Sequence, residues 1–272
     1  MQTVGAYYHS LLQNETLNPF DLRELFIQQL FLHSHSDFYL HLNDPFQPSD
    51  TFFSGIKRLR QQEPIAYIVG SSEFYHRRFD VDPSVLIPRP ETEELVELVL
   101  KSTSTWTEPL NVIDIGTGSG VIACTLKRSK PLWNIGASDL SEKALFIAKK
   151  NAKKMKLKID FRIGSGVEPW LTSTIHGVVS NPPYILDKNT IDSNVLMYEP
   201  QLALLTDEKN VLYRPILELF VTHPELKFVA FECLPDWKAW FESFLQTLPI
   251  ALSLRFIEDI NSKVRFAWIE RK

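Results

Sequence analysis

From Leu110 to Tyr184 the chain alternates short apolar runs with amphipathic stretches, a rhythm that few folds accommodate. "LNVIDIG", "WNIGASD", "KIDFRIG" and "GVVSNPPY" read as strands, with "SGVIACTLKRS" and "SEKALFIAKKNAKKM" as helices among them. Further on, "KFVAFECL" adds a fifth strand, and "LSLRFIEDI" with "VRFAWIE" closes the chain as a hairpin around Asn261 and Ser262. Alternation on this scale predicts a parallel sheet covered by helices on both faces. The terminal hairpin adds an antiparallel strand at one end. The expected class is α/β.

The preceding residues follow another pattern. In "NPFDLRELFIQQLFLHS", Asn18 is placed to cap a helix, Pro19 suits its first position, and Asp21 suits its first turn. Leu22, Leu25, Phe26 and Leu30 then recur at helical spacing. "SDTFFSGIKRLRQQ" predicts a second helix with Phe52, Phe53, Ile56 and Leu59 on one side. Its Lys57, Arg58 and Arg60 form either a solvated face or a docking patch. "EFYHRRFDVDPSVLI" alternates as a β-hairpin does, and "IPRPETEELVELVLKS" carries Leu95, Val96, Val99 and Leu100 as a helical stripe. The boundaries expected are a helical domain over 1–72, a hairpin linker over 73–86 and an α/β domain over 87–272.

Composition removes several classes. With 44% apolar and 12% aromatic residues in 272, the chain can bury a substantial core. No uncharged apolar run is long enough to span a bilayer. "MQTVGAYYHSLLQNE" lacks a basic start, a long apolar stretch and a cleavage site, so no secretory signal is expected. Cys124 and Cys233 lie in separate segments without metal spacing, as buried thiols of a reducing cytoplasm would. The seven histidines form no HExxH or Cys/His array, so no metal site is expected. A formal net charge of -4 confines any nucleic-acid contact to a local patch.

Sheets of this kind bind ligands at the carboxyl ends of their strands, where strand order reverses. "DIGTGSG", Asp114 to Gly120, follows the first strand, and Gly116, Gly118 and Gly120 permit a sharp turn and close backbone approach. The third glycine of a dinucleotide loop would fall at Val121, which favours a ligand without a pyrophosphate. Asp139 ends the second strand, where a carboxylate accepts hydrogen bonds from both ribose hydroxyls. Asp139 also suits a helix N-cap, a role open to Ser141. Loop and acid together fit S-adenosylmethionine. "SNPPYI" then ends the fourth strand, beside the first. Methyl transfer needs a nucleophile held close and in line, and an amide or exocyclic amine nitrogen is a poor one because its lone pair is delocalised. The Asn181 oxygen and the Pro182 carbonyl are placed to accept its two N–H groups while Tyr184 packs on the planar group. The prolines stiffen the corner.

Asn181-Pro182-Pro183-Tyr184 is shared by methyltransferases of adenine N6 and of glutamine N5 and does not choose between them. Its neighbours do. "EPIAYIVGSSEFYHRRFDVDPSVLIPRPETEELVELV", "VIDIGTGSGVIA", "SDLSEKALFIAKKNA", "VVSNPPYI" and "YEPQLAL" resemble the HemK/PrmC family in order and spacing from Gln61 to Ala203. The resemblance implies a Rossmann-like, seven-stranded S-adenosylmethionine-dependent methyltransferase domain behind a small helical domain that docks the substrate. It implies N5-methylation of the glutamine in the Gly-Gly-Gln motif of class I peptide-chain release factors, in translation termination. By position, Gly116, Thr117, Gly118, Ser119 and Gly120 would hold the methionine end of the cofactor and Asp139 its ribose. Asn181, Pro182, Pro183 and Tyr184 would bind the substrate glutamine, with Asn181 also beside the cofactor and Asn181 and Tyr184 serving catalysis. Ile87 to Glu93 would lie near the active site, and the Lys57, Arg58, Arg60 patch would meet the release factor. The family further implies a cytoplasmic monomer with no membrane or stable nucleic-acid partner.

Three departures stand out. Gly164-Ser165-Gly166 replaces a Gly-Asp-bulky segment that touches adenine, and residues 206–210 replace a glycine-containing loop. Glu232-Cys233-Leu234-Pro235 replaces an acidic-apolar-Gly end of the fifth strand. These are expected to affect the periphery and leave the chemistry untouched. Rival expectations are a nucleic-acid adenine methyltransferase, an enzyme for a ribosomal-protein glutamine, and a non-catalytic module of the same fold.

Overall fold

The computed structural model describes residues 2–14, 16–206 and 212–272. They form two compact units, Met1–Ser71 with Ser193–Tyr198, and Ser72–Asp192 with Glu199–Lys272. Residues 207–210 of the altered loop lie outside the described residues.

The first unit is helical, with α1 (Val4–Asn14), α2 (Pro19–Gln29), α3 (His35–Leu40), α4 (Asp50–Arg60), α5 (Ile65–Val69) and the later α9 (Ser193–Tyr198). The α2 start follows from its sequence. Asn18 Oδ1 accepts the N–H groups of Phe20 at 2.8 Å and Asp21 at 3.3 Å, and Pro19 sits where a missing donor costs nothing. Leu22, Leu25 and Phe26 of α2 share a core with Phe52, Ile56 and Leu59 of α4. Phe53, expected on the apolar side of α4, is instead 51% exposed. One residue's turn carries position 53 away from the face set by 52, 56 and 59. Arg58 of the expected basic patch pairs with Glu63 and donates to the Tyr67 carbonyl, so it is engaged within its own unit.

β1 (Ser71–Phe74) and β2 (Arg77–Asp80) form a hairpin. Tyr75 and His76 both take left-handed φ angles, 49° and 59°, as a two-residue turn matched to strand twist requires. The hairpin is therefore shorter than the 73–86 span expected, and residues 81–89 form a loop before α6 (Pro90–Ser102).

The central sheet holds β3 (Asn111–Ile115), β4 (Asn134–Asp139), β5 (Asp160–Ile163), β6 (Gly177–Ser180), β7 (Phe228–Glu232), β8 (Leu252–Glu258) and β9 (Val264–Arg271). Their order is β5-β4-β3-β6-β7-β9-β8, with β9 antiparallel to both neighbours and the other pairs parallel. This is the α/β, Rossmann-like, seven-stranded architecture expected. Around it run α7 (Val121–Ser129), α8 (Glu142–Lys154), α10 (Tyr213–Thr222) and α11 (Lys238–Gln246). Val112 packs in a core with α6 and α7, whereas Ile113 and Ile115 pack in one with α10 and α11. That period-two alternation is the mark of a strand buried on both faces.

Candidate active site

The chain runs outward from β3 through β4 to β5, then returns to β6 on the other side of β3. Such a reversal opens a crevice at the carboxyl ends of the strands. Register decides which residues meet there. Ile115 pairs with Ser138, Asp114 with Val179, and Ser180 with Phe231. One or two steps further along these registers, Gly116, Asp139, Asn181 and Glu232 stand in a single row across four strand ends. The Ser180 hydroxyl locks the row by donating to the Ile115 carbonyl at 2.6 Å.

The glycine loop is fastened at its start, where the N–H groups of Gly116 and Thr117 both reach the Ser138 carbonyl at 2.9 Å. Gly116, Gly118 and Gly120 take φ angles of 72°, 54° and 82°, the left-handed region that side chains disfavour. A Cβ at Gly116 or Gly118 would meet nothing within 4 Å, so the loop borders open space there. At Gly120 it would fall 3.0 Å from the Ala148 Cβ, so this glycine also admits α8. Asn151 of α8 is fully buried and ties loop to hairpin. Its Oδ1 accepts the Asp80 N–H at 2.7 Å, and its Nδ2 donates to the carbonyls of Ser119 at 2.9 Å and Asp80 at 3.0 Å. No sequence expectation included Asn151. Its one signal was an amide on the buried stripe of α8, where a polar group must find partners.

Asp139 accepts the Gly118 N–H on Oδ2 and the Ser141 N–H on Oδ1, each at 2.9 Å. The cap of α8 is Ser141, whose hydroxyl accepts from Ala144, so Asp139 is not engaged as that cap. Burial pushes the Asp139 pKa up, against the pull of the backbone N–H groups. Beneath the loop, buried Asp114 accepts from the Thr117 hydroxyl at 2.6 Å and the Ala123 N–H at 3.1 Å, both on Oδ2. Its Oδ1 has no partner among the described residues, and desolvation lifts its pKa to about 7. Open glycine faces, spare lone pairs on Asp139 and the orphaned Asp114 oxygen fit a nucleoside with an ammonium-bearing arm.

At the third strand end, Asn181 and Tyr184 enter a buried network. Asn181 Nδ2 donates to Thr92 Oγ1 at 2.9 Å, and the Thr92 hydroxyl donates to Glu232 Oε2 at 2.9 Å. The Tyr184 hydroxyl donates to Glu232 Oε1 at 3.2 Å, and that of Tyr213 to the Glu232 carbonyl at 3.0 Å. Pro182 is buried and Pro183 half-buried. Burial pushes the Glu232 pKa to about 7, opposed by Thr92, Tyr184 and Arg265. Burial also raises the Tyr184 phenol, which stays neutral. This corrects the expectation that the altered end of the fifth strand is peripheral, since the register sets Glu232 beside Asn181. The "IPRPETE" segment is pinned from outside. Glu199 accepts Arg89 Nη2 at 2.5 Å and the Ile87 N–H at 3.2 Å, and Glu93 accepts the Tyr75 N–H at 3.0 Å.

Among the described residues no helix is long and apolar enough to cross a membrane, and no cluster of three or more His, Cys, Asp or Glu is set to hold a metal ion. Residues 92–198 match the family described as the methyltransferase small domain. Among solved structures, the hMettl16 catalytic domain in complex with MAT2A 3'UTR hairpin 6 aligns with a TM-score of 0.54 at 16% identity, covering 71% of this chain and 74% of that one. The human methyltransferase 10 domain containing protein aligns with a TM-score of 0.50 at 17% identity, covering 71% and 88%. Sheet order and matched segment agree on the fold of the methyltransferase small domain. Closer in sequence is the release factor glutamine methyltransferase of Staphylococcus aureus, 39% identical over 202 residues, which are 72% of each chain. This chain belongs to the release factor glutamine methyltransferase family. Proteins of the same name from Enterococcus faecalis and Lactococcus lactis are 39% identical over 183 residues and 44% over 170, covering 65% and 61% of this chain. The chain spans 65% and 62% of their respective lengths.

Proposed function

We propose that the protein transfers a methyl group from S-adenosyl-L-methionine to the side-chain nitrogen, N5, of the glutamine in the Gly-Gly-Gln motif of class I peptide-chain release factors. The observation that carries this is the row of Gly116, Asp139 and Asn181 at adjacent strand ends of a family member. Such a row sets the glycine loop and the Asn-Pro-Pro-Tyr corner at one crevice, which supports the reading.

The cofactor, when bound, supplies an electrophilic methyl on a sulfonium. The chain supplies position. Gly116 to Gly120 take the methionine end against a loop without side-chain obstruction at 116 and 118. Asp139 receives the ribose hydroxyls on its remaining lone pairs. Asn181 Oδ1 and the Pro182 carbonyl accept the two N–H groups of the substrate amide, which orients it and favours the positive charge that grows on nitrogen as its lone pair is recruited. The Tyr184 ring packs on the amide plane. Its hydroxyl is committed to Glu232, so Tyr184 serves by its face and by holding Glu232. The helical unit acts as the docking domain and the unit that holds the central sheet as the methyltransferase domain of a cytoplasmic monomer.

The test is transfer of label from methyl-labelled cofactor to a purified class I release factor. Transfer to the wild-type factor and none to a Gln→Ala variant of its Gly-Gly-Gln motif is expected. Equal transfer to both, or to neither, would defeat the proposal.

A further inference from the structure

We infer that Thr92 and Glu232 are positioning residues that hold the Asn181 carboxamide with its oxygen toward the crevice. This rests on the methyl-transfer reading above. The geometry is a matter of counting protons. A glutamate carboxylate only accepts, and Glu232 takes a hydroxyl on each oxygen, Tyr184 on Oε1 and Thr92 on Oε2. A hydroxyl has one hydrogen, and that of Thr92 is spent on Glu232. Its oxygen can therefore only accept from Asn181, 2.9 Å away. A carboxamide turned the other way would set two acceptors against each other at that distance. The amino end of Asn181 is thereby held inward, and Oδ1 is left for a ligand N–H. The three residues come from the first turn of α6, the end of β7 and the corner after β6, so the relay is assembled by the fold.

The relay depends on an ionised Glu232. A protonated one would bring its own hydrogen to one oxygen, displace a donor and free the Thr92 hydroxyl to turn toward Asn181. The groups facing Glu232 are Arg265 of β9, Glu91 of α6, Tyr184, Tyr213 of α10 and Cys233. Arg265 favours the ionised form and Glu91 opposes it. Burial places the balance at about 7.

The experiment compares Thr92→Val, which removes the hydroxyl at constant shape, with Thr92→Ser, which keeps it. Expected for Thr92→Val is a fall in kcat of about tenfold with unchanged Kd for S-adenosylmethionine, and recovery to within about twofold in Thr92→Ser. In an Asn181→Ala background Thr92→Val costs nothing further, because the effect acts through Asn181. A second readout needs no substrate: the side-chain amide resonance of Asn181 in nitrogen-labelled protein. It is protected from solvent exchange in wild type and Thr92→Ser and loses protection in Thr92→Val. Should the wild type fail to methylate a release factor, the functional reading falls while this resonance still decides the positioning. Glu232→Gln is the second variant and keeps an acceptor oxygen. Like the protonated acid it brings hydrogens to one side of the network, so it should lower kcat as Thr92→Val does and lose the acid-side inflection of the kcat–pH profile. An unchanged Asn181 resonance in Thr92→Val, an equal loss in the Asn181→Ala background, or an unmoved inflection in Glu232→Gln each overturns the inference.

Discussion

At the residue scale, two side chains divide the work. In the proposed reaction Asn181 orients the nucleophile and Asp139 holds the cofactor's sugar. Asn181→Ala is therefore expected to lower kcat by about 100-fold, the usual loss on removing one positioned partner of a developing charge, while calorimetry shows cofactor affinity nearly unchanged. Asp139→Ala should do the reverse, weakening cofactor binding far more than turnover at saturation. If the two variants show the same pattern, the division of roles is wrong. Glu232 makes a separate prediction about stability. Its folded pKa, about 7, lies above its ordinary value of 4.5. Between these values the folded protein holds a proton that the unfolded chain has lost, so Glu232's contribution to stability declines as pH rises through that window. Glu232→Gln should gain on the wild type in thermal melts over the same window. A difference between the two that is flat with pH would refute the buried-acid assignment.

At the scale of elements, the glycine loop separates two reasons for being glycine. Gly116 is required by its φ alone, with nothing within 4 Å of a would-be Cβ, whereas Gly120 is required by its φ and by Ala148 at 3.0 Å. Gly116→Ala should cost about 1 kcal/mol in denaturant unfolding and weaken cofactor binding, because its methyl enters the open side of the loop. Gly120→Ala should cost clearly more stability, because α8 must retreat. Equal stability losses would contradict the close approach of α8. The loop, Asp139 and the Asn-Pro-Pro-Tyr corner were legible in the sequence because each is a local pattern that a few adjacent residues complete. Thr92, Asn151 and Glu232 were not. Their meaning comes from register and packing, with Glu232 lying 140 residues from Thr92 and meeting it only when β7 pairs with β6. The segment from Glu232 to Pro235 stands out in the sequence as a departure, but a strand end read alone cannot say which neighbour its acid faces.

At the scale of the whole molecule, the alternation of strands and helices was enough for the sheet class, the terminal antiparallel hairpin and the adjacency of β6 to β3. The helices α9, α10 and α11 went unassigned. In "YRPILELFVT" of α10, Pro215 resembles a breaker, yet it lies in the first turn, where no intrahelical donor is lost. α9, only six residues long, is grouped with the first helical unit although its neighbours in sequence belong to the other, a grouping that no local pattern encodes. The central claim is that this crevice methylates one amide nitrogen, and mass spectrometry of the release factor's Gly-Gly-Gln peptide tests it most directly. After incubation with the protein and S-adenosylmethionine, one added methyl on the glutamine side chain is predicted, absent with Asn181→Ala. A peptide that stays unmethylated, or a methyl found on any other residue, would contradict it.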